Sequence, residues 1–203
     1  LKFIASWLMA EKNYCGGYYV DGDETNNRYG GFAISYDGGV TWDSTYSSGI
    51  PQSAIPVNMS VEYNNDNQLT IYVATFNEGF FVSYDNGKTF SSLNDGITPL
   101  IYKNNHNEYK YIYGADIVSD GTKVYGLVSK TNYHNEVQPG GVYELVNNEW
   151  KKIELPENVT NPRDIYLHEG LLYISCTATN KYNWNTPITN YDNVGGGIYV
   201  YDG

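Results

Sequence analysis

Several residue types are scarce in this 203-residue chain, and each scarcity closes off a class of function. Lys and Arg number 12 against 23 Asp and Glu, a formal charge of −11, and no run of Lys or Arg gathers into a patch. A surface of that sign repels nucleic acid and anionic membranes, so neither is an expected partner. Only two cysteines occur, Cys15 and Cys176. One disulfide or two buried thiols both remain open, and the count does not fix the compartment. The three histidines, His106, His134 and His168, show no metal-ligand spacing. No segment approaches the ~20 apolar residues of a membrane-spanning helix. The opening "LKFIASWLMA" is short and lacks a small-residue cleavage pattern, so it reads as a strand rather than a signal peptide. Apolar residues never hold the helical spacing i, i+3, i+4, i+7 for long. Phosphate loops and dinucleotide fingerprints are missing too, and no cofactor is expected.

Aromatic residues and glycine are abundant instead. Hydrophobic residues make up 41% and aromatics 16%, enough for a packed core, and 22 residues are Tyr. Tyr and Val suit half-buried strands, while 21 Gly and many Asn-Asp clusters suit turns. The chain reads as all-β.

It also repeats itself. "GGFAISYDGGVTW" from Gly30 returns as "EGFFVSYDNGKTF" from Glu78, with weaker echoes "GGVYELVNNEW" from Gly140 and "GGGIYVYDG" from Gly195. The anchors Phe32, Phe80, Val142 and Ile198 are 48, 62 and 56 residues apart. An alternating apolar run precedes each anchor: "LKFIASW", "LTIYVATF", "KVYGLVS" and "LLYISCT". Before the last three comes another strand-like run: "VNMSVEY", "YGADIVS" and "RDIYLHE". A strand four follows the repeated phrase, as "TWDST", "TFSSL" or "EWKKIEL". Four antiparallel strands every ~50 residues mark a β-propeller blade. One domain, 1–203, is therefore expected, with repeats at about 1–46, 57–93, 111–154 and 162–203. The first and last repeats are incomplete. That predicts a propeller-like array of about four four-stranded blades, either a fragment of a larger propeller or a small or open one. Open blade edges would invite an oligomer, whereas a Cys15–Cys176 disulfide would tie the first repeat to the last.

The phrases "SYDGGVTW" and "SYDNGKTF" resemble the Asp-box (BNR repeat), Ser-x-Asp-x-Gly-x-Thr-Trp, of sialidase-type propellers. Xyloglucanase-like glycoside hydrolases and several non-catalytic propellers share that motif. The resemblance covers two of the four repeats. It implies structural roles for Ser35, Asp37, Gly39 and Trp42, and for Ser83, Asp85, Gly87 and Phe90. The physics agrees, because an Asp at a turn accepts backbone N–H groups and Gly supplies positive φ. A buried aromatic then opens strand four. The box marks the edge opposite the strand-two-to-three loops.

Those loops are long in three repeats: "LMAEKNYCGGYYVDGDETNNRY", "KTNYHNEVQP" and "ATNKYNWNTPITNYDNV". They carry Tyr14, Tyr18, Tyr19, Tyr133, Tyr182, Trp184 and Tyr191 among many Asn, a composition suited to binding a glycan or a protein. Sialidase-like activity would need an arginine triad, and only Arg28 and Arg163 fall in usefully placed segments. A hydrolase would need paired carboxylates. Asp116 in "YGADIVS" and Asp164 in "NPRDIYL" hold matched strand-one positions and form the best such pair. "DGDETNN" (21–27) begins like a calcium loop but has Phe32 where the bidentate Glu belongs, and no metal is expected there. Sequons at Asn58 and Asn158 are compatible with secretion. The leading expectation is a non-catalytic extracellular recognition module that binds a protein or a polysaccharide. It would serve in a scaffold of polysaccharide-degrading enzymes such as a cellulosome. A fragment of a xyloglucanase-like glycoside hydrolase is the alternative.

Overall fold

The computed structural model describes residues 3–9, 29–35, 37–41, 49–51, 53–63, 68–103, 106–133, 136–157, 159, 161–177, 179–180, 193–194 and 196–203. Of these, 3–9, 29–34, 132–133, 179–180 and 193–194 are described as backbone alone. Among the described residues there is no helix, hence none long and apolar enough to cross a membrane.

Each repeat builds an antiparallel sheet in which strands consecutive along the repeat are neighbours. The first contains β1 (Phe3–Met9) and β2 (Tyr29–Ser35). The second runs β3 (Pro56–Tyr63), β4 (Leu69–Thr75), β5 (Gly79–Ser83), β6 (Ser91–Ser92). A hairpin of β7 (Leu100–Lys103) and β8 (Glu108–Tyr111) leads to the third sheet. There β9 (Gly114–Ser119) and β10 (Val124–Val128) precede a small hairpin, β11 (Thr131–Tyr133) with β12 (Glu136–Gln138). β13 (Gly141–Val146) and β14 (Glu149–Lys152) complete it. The fourth sheet has β15 (Pro162–His168) and β16 (Leu171–Cys176), a short pair β17 (Thr179–Asn180) with β18 (Asn193–Val194), then β19 (Gly197–Tyr201). Strand order thus follows the repeats, except that "TFSSL" contributes only Ser91–Ser92 as strand and "TWDST" lies mostly outside the described residues.

The sheets pack on one another in chain order, β1 and β2 against β3, β3 and β4 against β9, β9 and β10 against β15. The second and third are consequently covered on both sides. Every residue of β4, β5 and β10 is buried. Alternate side chains point to opposite faces. Leu69, Ile71 and Val73 join Phe81 and Phe90, while Tyr72 and Ala74 join Phe80, Val82 and Trp150. In β10, Val124 and Val128 face the second sheet, and Tyr125 and Leu127 join Ile165, Leu172 and Ile174 of the fourth. Double coverage explains why "LTIYVAT" is apolar nearly throughout instead of strictly alternating. The far side of the fourth sheet is bare, with Tyr166, Ile198 and Val200 exposed.

Among the described residues, Trp150 is the largest fully buried side chain, and it locks two repeats together. Its ring lies 4.9 Å from that of Phe80, and its indole N–H donates to the Leu93 carbonyl at 2.6 Å. Gly96 explains how the backbones come so close. It has φ +90°, and a Cβ there would sit 2.2 Å from the Trp150 carbonyl oxygen. Gly49, at φ +101°, makes the matching approach to Phe90, where a Cβ would lie 1.9 Å from that carbonyl oxygen. The same linker-to-aromatic contact therefore recurs one repeat apart.

The first strands of the last three repeats share an irregularity. Pairing shifts between Pro56 and Asn58, between Pro162 and Asp164, and between Gly114 and Asp116 opposite Val128 and Leu127. Each is a one-residue bulge, a device that re-aims the following side chain. Asn58, Asp116 and Asp164 thus hold equivalent positions.

Candidate functional site

Meander topology sorts the connections onto two edges. The strand-three-to-four edge carries both Asp-boxes, and their networks coincide. In the first, the Ser35 hydroxyl donates to Asp37 Oδ1 at 2.9 Å and accepts the Gly39 N–H at 2.7 Å. Asp37 then accepts the Thr41 N–H at 2.8 Å and the Thr41 hydroxyl at 2.6 Å. In the second, Ser83 donates to Asp85 at 2.8 Å and accepts Gly87 N–H at 2.9 Å, and Asp85 accepts the Thr89 N–H and hydroxyl at 2.8 and 2.7 Å. Both turns place two successive residues at positive φ, Gly38–Gly39 and Asn86–Gly87. The Thr41 hydroxyl and N–H hold the Asp37 carboxyl down at about 2. Burial pushes Asp85 upward, but the Thr89 and Ser83 bonds together outweigh it and lower the group. Both carboxylate oxygens of each Asp are thus engaged by the turn itself. Phe90 is buried beneath its box, and Trp42 lies outside the described residues. The third repeat needs no box because Asn147 and Asn148, at φ 53° and 63°, form a two-residue reversal directly.

The opposite edge gathers different chemistry. Tyr14, Tyr18, Tyr19, Tyr182, Trp184 and Tyr191 lie outside the described residues, as do Cys15, Arg28 and the 21–27 loop. Tyr133 ends β11, placed as backbone opposite Glu136. Cys176 is a free, buried thiol in the core shared by the third and fourth sheets, and burial raises its pKa.

The aromatic surface that the structure does place was not foreseen. Tyr102, Tyr109, Tyr111, Tyr113 and Phe76 form a continuous row along the β7–β8 hairpin. Ring centroids are 6.1, 6.3, 6.1 and 5.1 Å apart in succession, and Tyr109 and Tyr111 are parallel within 3°. All five are half-buried. Period two causes the row, since Tyr109, Tyr111 and Tyr113 fall on one face of an extended segment and Tyr102 pairs opposite Tyr109. The other face is charged, with Lys103 and Lys110 ion-paired to Glu108. The signal was legible as "LIYKNNHNEYKYIY", two alternating runs around an Asn-rich turn.

Backbone bonds fix the hairpin against the strand-two-to-three edge. Gly79 N–H donates to Ile112 O at 2.9 Å, and Ile112 N–H donates to Asn77 O at 3.2 Å. Gln138, 1% exposed, bridges the two hairpins: its Oε1 accepts Tyr113 N–H and its Nε2 donates to Thr98 O, both at 3.0 Å. Beyond Tyr113 opens a cleft of about 330 Å³ between the third and fourth sheets. Lys130, Lys152 and Arg163 line it together with Glu154, Ser129 and Asn161.

Asp116 and Asp164 are brought together. Asp116 is 3% exposed and Asp164 is exposed. Asp116 Oδ1 accepts Ile117 N–H at 2.8 Å, and Oδ2 accepts Ile165 N–H at 3.0 Å across the sheet boundary. Burial, and next the hydrogen bond to Asp164, raise the Asp116 carboxyl to about 7. Hydrogen-bonded carboxyls are closer than the roughly 5–9.5 Å that glycosidases leave between theirs for a sugar and a water. The arrangement can share a proton and link two inner strands. Among the described residues no group of three or more His, Cys, Asp or Glu is placed to hold a metal ion.

No family model matches the chain, and no curated protein matches it.

Proposed function

We propose that this protein is a non-catalytic, extracellular recognition module that binds a glycan. Its four sheets would be blades of an open or partial propeller-like array. The observation that carries the reading is the five-ring row on the β7–β8 hairpin, fixed at the edge away from the Asp-boxes. A pyranose ring lays its C–H face on an aromatic ring as hydrocarbon on hydrocarbon, leaving hydroxyls for flanking amides. Tyrosines suit that task, because each supplies area with few rotatable bonds to immobilise. The Asn-rich segment that bears Tyr182 and Trp184 falls between β17 and β18 in the sequence, and in this reading it would extend the surface. Two sheets buried on both faces, with the same linker contact repeated, support the blade reading. The hydrogen-bonded Asp116–Asp164 pair favours structure over hydrolysis.

Affinity electrophoresis against soluble xylan, β-glucan and xyloglucan tests it. Truncating Tyr109 and Tyr111 together to Ala removes two stacking rings at about 0.5–1.5 kcal/mol each, so retardation should weaken about fivefold or more. Tyr182→Ala/Trp184→Ala should weaken it further. Unchanged retardation in the Tyr109/Tyr111 variant refutes the site, and binding of a protein partner with no glycan retained refutes the ligand class.

A further inference from the structure

The cleft beyond Tyr113 is cationic in a protein whose net charge is −11. Three of the chain's 12 Lys and Arg line it against one carboxylate, Glu154. Of the described cations outside the cleft, Lys103, Lys110 and Lys151 each pair with a carboxylate on their own hairpin, while Lys88 and Lys123 stand singly on other turns. Among the described residues, no carboxylate makes an ion pair with Lys130, Lys152 or Arg163. Gathering three like charges at one concavity costs Coulomb energy that an anion would relieve.

We infer that this cleft takes the carboxylate of a single uronic-acid unit carried by an otherwise neutral polysaccharide. The inference rests on the glycan-binding reading above and names the unit that the module selects. Four observations carry it. The cleft volume, about 330 Å³, lies at the small end of ligand sites, suited to one ring. Its lining mixes the cations with Ser129, Asn161 and Glu154, which can bond hydroxyls. One backbone bond ties its wall to the end of the aromatic row, since Ser129 N–H donates to Tyr113 O at 2.8 Å. Glycine also seats one of the cations: a Cβ on Gly141 would lie 2.7 Å from Lys152 Cε, so the lysine stem lies across a position that has no side chain. Net charge sets the ligand's limit. The surrounding negative field disfavours a polyanion, whereas one carboxylate within reach of three cations gains locally.

The test compares glucuronoxylan with the same polymer after carboxyl reduction, an aspartate-rich hexapeptide, and free glucuronate against acetate, by calorimetry at low salt. The native chain should bind glucuronoxylan about fivefold or more tightly than the reduced polymer. It should also prefer glucuronate to acetate. Lys152→Gln/Arg163→Gln should erase the polymer preference, and Lys151→Gln, outside the cleft, should retain it. Equal affinity for the two polymers, a preference surviving in K152Q/R163Q, tighter binding of the peptide, or parity of acetate with glucuronate each overturns the inference. Equal binding of both polymers, weakened by Tyr109→Ala/Tyr111→Ala, defeats the cleft and leaves the module standing. Glucuronate binding that needs Lys152 while neither polymer binds supports the cleft and defeats the module. No binding of any of them overturns both.

Discussion

Replacing Asp116 by Asn should abolish a pH dependence of stability that runs opposite to ordinary acid denaturation. Asp116 stands at about 7 in the folded chain against an ordinary 3.8, chiefly through burial and then through its hydrogen bond to Asp164. Folding therefore raises its proton affinity. Between about pH 4 and pH 7 the native state holds a proton that the unfolded chain has lost, so stability falls as pH rises. The contribution is fully present below about pH 4 and gone above about pH 7. Three units at 1.36 kcal/mol each set a ceiling of about 4 kcal/mol. Because Asp116's partner, Asp164, is exposed and water screens that side of the group, a fall of about 2 kcal/mol is the working figure. Asn at 116 cannot ionise, but its amide nitrogen cannot accept, so either Ile117 or Ile165 N–H loses its acceptor at about 1 kcal/mol or more. D116N should be the less stable protein at pH 4.5 and approach or overtake the native protein by pH 8. Urea unfolding followed by tryptophan fluorescence at intervals of pH gives the difference curve, which cancels every other titrating group. A flat difference between the two proteins from pH 4.5 to 8 refutes the reasoning.

The Asp-box predicts the reverse sign. Asp85 is lowered on folding by its Thr89 and Ser83 bonds, so its contribution is present above about pH 4 and lost as pH falls through the lowered folded value. Asp85→Ala should cost about 1 kcal/mol at pH 7 and progressively less as pH falls below about 4, measured by denaturant midpoints, and should leave glycan retardation unchanged. Trp150→Phe strips the Leu93 carbonyl of its indole donor and should cost about 1–3 kcal/mol in thermal or urea unfolding. Gly96→Ala meets both a positive φ and the Trp150 carbonyl at 2.2 Å, and it should destabilise by at least about 2 kcal/mol in the same assay.

Sheet order was legible because each repeat is local: a run, a turn, a run. Strand two, "LTIYVAT", and strand three, "GFFVS", pair through Ala74 and Phe80, as consecutive runs of one repeat should. Turn chemistry was legible as well, since Ser83, Asp85 and Gly87 bond within five residues of one another. What could not be read was contact across sheets. Nothing local in "EWKKIEL" says that Trp150 reaches Leu93, 57 positions earlier, or that Asp116 accepts Ile165 N–H, 49 positions later. The β7–β8 hairpin fails for another reason. Its tyrosines alternate as a strand should, but they interrupt the four-strand period, and the period drew attention away from them. The cationic cleft was hidden by dispersal, because Lys130 and Lys152 lie 22 positions apart on the third repeat and Arg163 belongs to the fourth, which meets the third only on packing.

The contacts of Gly49 with Phe90 and of Gly96 with Trp150 turn a row of sheets into a linked chain of dependencies. Each linker can adopt its left-handed turn against a neighbour's backbone only once that neighbour has formed. Stability should then behave as a sum of nearest-neighbour couplings rather than as a property of separate units. A repeat excised alone would lose its partner on both sides at once. A lesion at either glycine would propagate to the adjoining sheet before reaching the next. The hydrogen-exchange pattern of such a variant would show two neighbouring sheets opening together, with the remoter one still closed.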